Sequence, residues 1–217
     1  MGDGGQSSRR GFLVGAGGFL ASGLWVSASE ADTPVLPDDP QFTSWTHQTL
    51  EADVVVAGGG LAGVCAAIAA ARGGARVVLI QNRSRLGGNA SSEIRMHVLG
   101  ASALKDNPLW RETGIIEELK LTEAALNPQR SFEMWDMVLY DKVVSEPNIT
   151  LLLDTSVVGA AVEAGRVARV TAASALLEER YTLSAGFFLD CTGDASLAAL
   201  AGARCMRGRE GRAEHGE

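Results

Sequence analysis

Ala-Asp-Val-Val-Val-Ala-Gly-Gly-Gly-Leu-Ala-Gly occupies residues 52–63. A short β-branched run, Asp53 to Ala57, feeds into Gly58-x-Gly60-x-x-Gly63, and a helix-forming stretch follows at once. In this pattern the first glycine turns the chain sharply out of a strand. The second leaves room for a pyrophosphate to approach the backbone, and the third lets the helix pack closely on the sheet. The helix start, at Leu61, Ala62 and Gly63, then offers free N–H groups and a positive dipole end to phosphate. A plain glycine turn without a nucleotide is the competing reading, and the surroundings decide between the two.

Working outward, Leu61 to Arg72 is helical in composition, with Leu61, Val64, Cys65, Ile68 and Ala71 on one face, and Gly73-Gly74 stops it. The segment from Arg76 to Gln81 holds Val-Val-Leu-Ile, a second buried strand. Strand, helix and strand in so few residues make a βαβ unit with a right-handed crossover. Pro108 to Leu126 and Phe132 to Ser145 read as amphipathic helices. A β-rich block follows, with strands expected at 149–153, 156–163, 167–173, 180–184 and 187–190 and a tight turn at Ala164-Gly165-Arg166. A short helix is expected over Ala195 to Ala201, and a charged tail from Arg204.

The bulk properties agree with an α/β domain. The 217 residues carry a formal charge of −7, which argues against a nucleic-acid-binding surface. Twenty-six glycines and only 6% aromatic residues suit helices lying close to a sheet. The three cysteines, Cys65, Cys191 and Cys205, are odd in number and lack CxxC spacing, so neither a disulfide framework nor a zinc site is expected. Cys65 reads as a small buried hydrophobe.

Residues 1–31 read as an address. Arg9-Arg10 precedes an apolar, Gly- and Ala-rich stretch from Phe12 to Val26, short of the ~20 residues that a membrane span needs. Val26-Ser27-Ala28 and Ser29-Glu30-Ala31 fit a small-x-small cleavage site. The segment resembles a twin-arginine export signal. That resemblance implies the export machinery as a partner, a periplasmic or secreted mature protein without stable membrane insertion, and a cofactor loaded before export. Residues 32–50, with Pro34, Pro37 and Pro40, read as a linker.

Three further motifs follow the first glycine loop in order. Leu86-Gly87-Gly88-Asn89 trails the second strand, Asp154 to Gly159 has a hairpin-like look before the run from Val167, and Phe188-Leu189-Asp190-Cys191-Thr192-Gly193-Asp194 ends a late strand in a Thr-Gly turn. Together the four motifs resemble an FAD-dependent oxidoreductase of the glutathione-reductase-like, two-dinucleotide-binding-domain superfamily, and cover about residues 52–203. The resemblance implies a Rossmann-like FAD-binding domain over 51–203 with a parallel sheet and an inserted β-meander. It also implies hydride or electron transfer between FAD and a small-molecule substrate, with no metal.

In that family's terms Gly58, Gly60, Leu61, Ala62 and Gly63 hold the pyrophosphate. Gln81 meets the adenosine ribose and Asn82 is a further cofactor-binding residue; Gly87, Gly88 and Asn89 flank the phosphates or flavin, and Val157 meets the adenine. Thr192, Gly193 and Asp194 close the far side. Gln81 stands where Asp or Glu is expected; its amide accepts and donates but carries no charge. Arg83 and Arg85 sit where the 2′-phosphate of NADP could be held, which keeps an NADP-dependent dehydrogenase open. A non-catalytic dinucleotide-binding module is the other alternative. Asp194 doubles as a candidate N-cap for the helix at Ala195. His97 reads as a structural histidine rather than a flavin attachment point or an acid/base, and Glu93 and Arg95 as candidate walls of a substrate cavity. The fold is expected to be incomplete at its C-terminus, the tail from residue 204 leading toward a substrate domain beyond Glu217.

Overall fold

The computed structural model describes residues 44–99, 112–206, 208 and 211. The signal segment 1–31, most of the expected linker, the first residues of the 108–126 helix and most of the charged tail lie outside the described residues.

The elements in chain order are β1 (Thr46–Ala57), α1 (Leu61–Arg72), β2 (Val77–Ile80), a 3-10 turn (Gly88–Ala90), α2 (Ile115–Leu126), α3 (Phe132–Val144), β3 (Ile149–Leu152), β4 (Ser156–Glu163), β5 (Arg166–Ser174), β6 (Glu179–Asp190) and α4 (Ser196–Leu200). One six-stranded sheet runs β3-β2-β1-β6-β5-β4. Its first four strands are mutually parallel, and β5 and β4 continue it antiparallel as a meander. This is the expected α/β architecture of a parallel core with an added β-meander.

The core divides by strand parity, because successive side chains point to opposite faces of a sheet. Val56, Val77 and Leu79 face the layer of α1, α2 and α3, where Val64, Ile68, Leu119, Val138 and Leu139 are buried. Val55, Ala57, Val78 and Ile80 face the other way, with Val170, Ala172, Leu183 and Leu197. All four residues of β2 are buried, as a parallel strand covered on both faces requires. The helical layer is tied by ions as well: Arg72 pairs with Glu118 and Glu146 at 2.6 Å each, and Lys142 with Glu118 at 2.9 Å.

Four local expectations are corrected. Strand β1 starts at Thr46, so residues 46–50 belong to the sheet rather than to a linker. Among the described residues its first half pairs only with β6, which leaves alternate residues exposed and an apolar run invisible. The expected strands 180–184 and 187–190 are one strand, because the pairing with β1 keeps its register on both sides of Gly186, Ala52 opposite Ala185 and Val54 opposite Phe187. Helix α2 begins at Ile115, since Gly114 at φ 71° lies outside helical space. Asp154 to Gly159 is not a hairpin: β3 and β4 lie at opposite edges of the sheet, and the connection crosses the end of β2, where the Thr155 N–H donates to the Gln81 carbonyl at 2.9 Å. The tight hairpin turn is Ala164-Gly165, with φ of 49° and 75°, joining β4 to β5.

No helix among the described residues is long and apolar enough to cross a membrane.

Candidate cofactor-binding site

The carboxyl ends of β2, β1 and β6 are laced side by side. The Gly58 N–H donates to the Ile80 carbonyl at 2.8 Å, and the Cys191 N–H to the Ala57 carbonyl at 2.7 Å. Directly beyond these ends lies a cleft of about 850 Å³, within the usual ~300–1,000 Å³ of ligand sites.

Two glycines in the first turn are required by close backbone contact. Gly58 has φ 102°, and a Cβ there would stand 2.3 Å from the Cys191 carbonyl oxygen. A Cβ on Gly63 would stand 1.8 Å from the Gly58 oxygen. So Gly58 and Gly63 bring α1 down onto β1 and β6, while Gly63 itself packs inward and does not line the cleft. Gly60 differs: a Cβ there would meet no protein atom within 4 Å, so its open side belongs to the cleft. By helix geometry the first N–H groups of α1, at Leu61, Ala62 and Gly63, have no carbonyl partner in the helix. No acidic residue lies in that first turn to offset the dipole. An anion fits there.

The second glycine loop is bonded to the first. The Gly87 N–H donates to the Gly59 carbonyl at 2.8 Å, and Gly60 and Gly87 form a bridge. Gln81 is the clasp. Its Oε1 accepts from the Gly59 N–H at 2.8 Å, and its Nε2 donates to the Arg85 carbonyl at 2.8 Å, with only 4% of the residue exposed. The side chain expected to meet a ribose is thus engaged at both ends inside the protein, because two backbone groups of facing loops converge on it. Asn82, Gly88 and Asn89 line the cleft beside it.

Asp136 of α3 holds the second loop from below, and no sequence motif flags it. Its carboxylate accepts from the Ser92 N–H at 2.9 Å and lies 3.3 Å from the Arg85 Nε. Arg85 is therefore turned to α3, away from the cleft. Arg83 lines the cleft and pairs with Glu93 at 3.2 Å. Glu93 and Arg95 do not line it: Glu93 is held by Arg83, and Arg95 by Glu133 at 2.8 Å.

The third wall comes from β6. Thr192, Gly193 and Asp194 line the cleft, but Asp194 does not cap α4. Thr192 and Asp190 do so: Thr192 Oγ1 accepts from the Ser196 N–H and Asp190 Oδ2 from the Ala198 N–H, both at 2.8 Å. Ala195, at φ 55°, separates Asp194 from the helix. Asp190 Oδ1 also accepts from the Thr192 hydroxyl at 2.6 Å and N–H at 3.0 Å. Partial burial alone would raise the Asp190 pKa; these hydrogen bonds outweigh it and hold the carboxyl below its ordinary range. Asp190 is the residue that the Thr-Gly motif hides, because its work is done along the chain rather than toward the cleft.

Val157, Ser156 and Thr155 close the β4 side. His97 also lines the cleft, its ring centroid 5.1 Å from that of Phe132. Cys191 lines it too. Burial, then the charge of Asp190, pushes its thiol pKa up. Cys65 is likewise pushed up by burial. No group of three or more His, Cys, Asp or Glu among the described residues could hold a metal ion.

Comparisons with known proteins agree with this geometry. The family model described as FAD dependent oxidoreductase matches residues 53–217. The digoxin reductase of Eggerthella lenta is 38% identical over 87 residues, covering 37% of this chain and 15% of the relative. A geranylgeranyl bacteriochlorophyll reductase-like protein from Thermoplasma acidophilum superposes with a TM-score of 0.52 at 18% identity, over 72% of this chain and 43% of its own. The E. coli quinol fumarate reductase FrdA gives 0.51 at 19% identity, over 68% and 33%. These likenesses concern the fold, and the chain spans less than half the length of each of the three.

Proposed function

The chain belongs to the FAD-dependent oxidoreductase family, whose cofactor is FAD, and we propose that it uses the cleft at the ends of β2, β1 and β6 to seat that cofactor and pass hydride or electrons to or from a small-molecule substrate. The observation that carries this reading is the convergence of three glycine turns, at Gly58–Gly63, Gly87–Gly88 and Thr192–Gly193, on one cleft. When bound, FAD supplies the redox chemistry.

The protein's own groups bind and orient. The first-turn N–H groups of α1 donate to the pyrophosphate, and Gly60 leaves the space for it. Asn82 and Arg83 take the ribose side in place of the engaged Gln81 amide. Val157 offers backbone to the adenine, and Asn89, Thr192, Gly193 and Asp194 border the remaining length. Gln81 keeps the two glycine loops at fixed separation and Asp136 anchors the second loop to α3, so little ordering cost falls on binding.

From the sequence, we also assign residues 1–31 to twin-arginine export and the mature protein to the periplasm or exterior. A reporter fused behind residues 1–31 should be exported, and export should stop in the Arg9→Lys, Arg10→Lys double variant.

Absorbance tests the central reading. Protein purified with FAD should retain bands at about 370 and 450 nm, as expected for oxidised flavin. A colourless product that binds NADPH tightly would sink the proposal.

A further inference from the structure

A second chamber, of about 320 Å³, opens beside the cofactor cleft. Ala90, Met96, His97 and Val98 line both spaces, so they form a shared wall. Its other sides are aromatic and cationic. Trp135 (6% exposed) and Phe132 line it together with His97, whose ring lies tilted by 33° to that of Phe132. Among the described residues, Lys120 and Arg130 stand at it with a single carboxylate, Glu123. Glu123 is already committed, to Arg130 at 3.2 Å and to the Asn127 Nδ2 at 3.1 Å. Lys120, half-buried on α2, has no carboxylate partner among the described residues.

We propose that this chamber seats the ring-bearing end of the substrate, and that the substrate is an aromatic carboxylate. The proposal rests on the reading of the main cleft as the FAD site. Three rings around one space favour a planar guest, since aromatic pairs gain beyond the area they bury. A cavity of ~150 Å³ already takes benzene, so 320 Å³ takes one or two fused rings with a short side arm. Lys120, without a carboxylate partner among the described residues, supplies the counter-charge for a carboxylate. The shared wall puts the guest next to the cofactor cleft without placing it among the phosphate-binding glycines.

The test uses the full chain, loaded with FAD and FAD-free, with 1-naphthylacetate and its uncharged amide as probes in isothermal titration calorimetry. The acid should bind at least about tenfold more tightly than the amide, as a hydrogen bond to a charged group warrants. Lys120→Met should bring the acid down to the affinity of the amide and leave the amide unchanged. Phe132→Leu should weaken both probes, and the bound acid should perturb the visible flavin bands. Equal affinities for the two probes, or an acid affinity untouched by Lys120→Met, overturns the proposal. So does an FAD-loaded protein that binds neither. Protein that takes up no FAD yet binds the acid through Lys120 refutes the cofactor reading and keeps the chamber, so the two failures are distinct.

Discussion

Gly60 and Gly63 lie three residues apart in one turn, and alanine at each should do opposite things. Gly60 has φ −65° and ψ 177°, a conformation open to any residue, and its Cβ would meet no protein atom within 4 Å. Gly60→Ala should therefore leave the stability of the FAD-free protein within about 0.5 kcal/mol, or about 2 °C in melting temperature. The new methyl would stand in the cleft where the pyrophosphate approaches, so FAD affinity should fall by about 10- to 100-fold. Gly63→Ala puts its Cβ 1.8 Å from the Gly58 oxygen, 3.0 Å from the Gly58 carbonyl carbon and 3.3 Å from the Cys191 Cβ. Restoring ordinary contact means parting α1 from the turn by roughly 1.5 Å in a close-packed interior. That should cost about 3 kcal/mol or more, lowering the melting temperature by about 6–12 °C. Thermal melts of the FAD-free proteins and quenching of FAD fluorescence on titration read the two effects separately. If Gly60→Ala binds FAD like the unaltered protein, or melts as low as Gly63→Ala, the assignment of the open face of the turn to the cofactor is wrong.

Four further outcomes are expected. Asp136→Ala should cost about 2 kcal/mol in chemical denaturation, since it strands the Ser92 N–H and frees Arg85, and should speed FAD release measured by dilution. Gln81→Glu keeps an acceptor for Gly59 but sets a carboxylate against the Arg85 carbonyl, so the melting temperature should fall by several degrees, about 1–2 kcal/mol. Hydrogen bonds from Arg72 and then Lys142 lower the Glu118 carboxyl from its ordinary 4.5 to about 2. The folded pKa is depressed, so this contribution is full above pH 4.5 and disappears as pH falls toward 2. Lys142→Met should accordingly move the acid-unfolding midpoint, followed by circular dichroism, to higher pH. Asp190→Asn should loosen the turn at Thr192 and α4, seen as faster amide hydrogen exchange at Ser196 and Ala198, with the helices α1–α3 unaffected.

What could be read from the sequence followed from the range over which each signal acts. The βαβ unit, the two glycine loops and the meander strands rest on period-2 and period-3.6 patterns within about a dozen residues, and those patterns are local. The start of β1 was hidden because Thr46 to Glu51 is stabilised by β6, across a separation of 135 residues at the His47–Thr182 contact. The clasp that Gln81 makes could not be read because two loops on different strands converge on it. Asp136 gave no signal for the same reason: its partners lie in another element, and within its own helix it is an ordinary polar residue. The Thr-Gly turn pointed to Asp194 as the cap by chain position. The left-handed Ala195 passes that work back to Asp190 and Thr192, a backbone choice that no side-chain pattern announces.

The long parallel pairing of β1 with β6 also sets an order of assembly. The β1-α1-β2 unit and the β4-β5-β6 meander each close over short stretches of chain, whereas β6 reaches β1 only after everything between them has been made, and such non-local pairings form slowly. One wall of the cleft, Thr192 to Asp194, arrives with β6. During synthesis the two glycine loops therefore exist before the site does. A cofactor held between them and β6 would lock the last-docked strand in place, so that loading the ligand and completing the sheet become the same event.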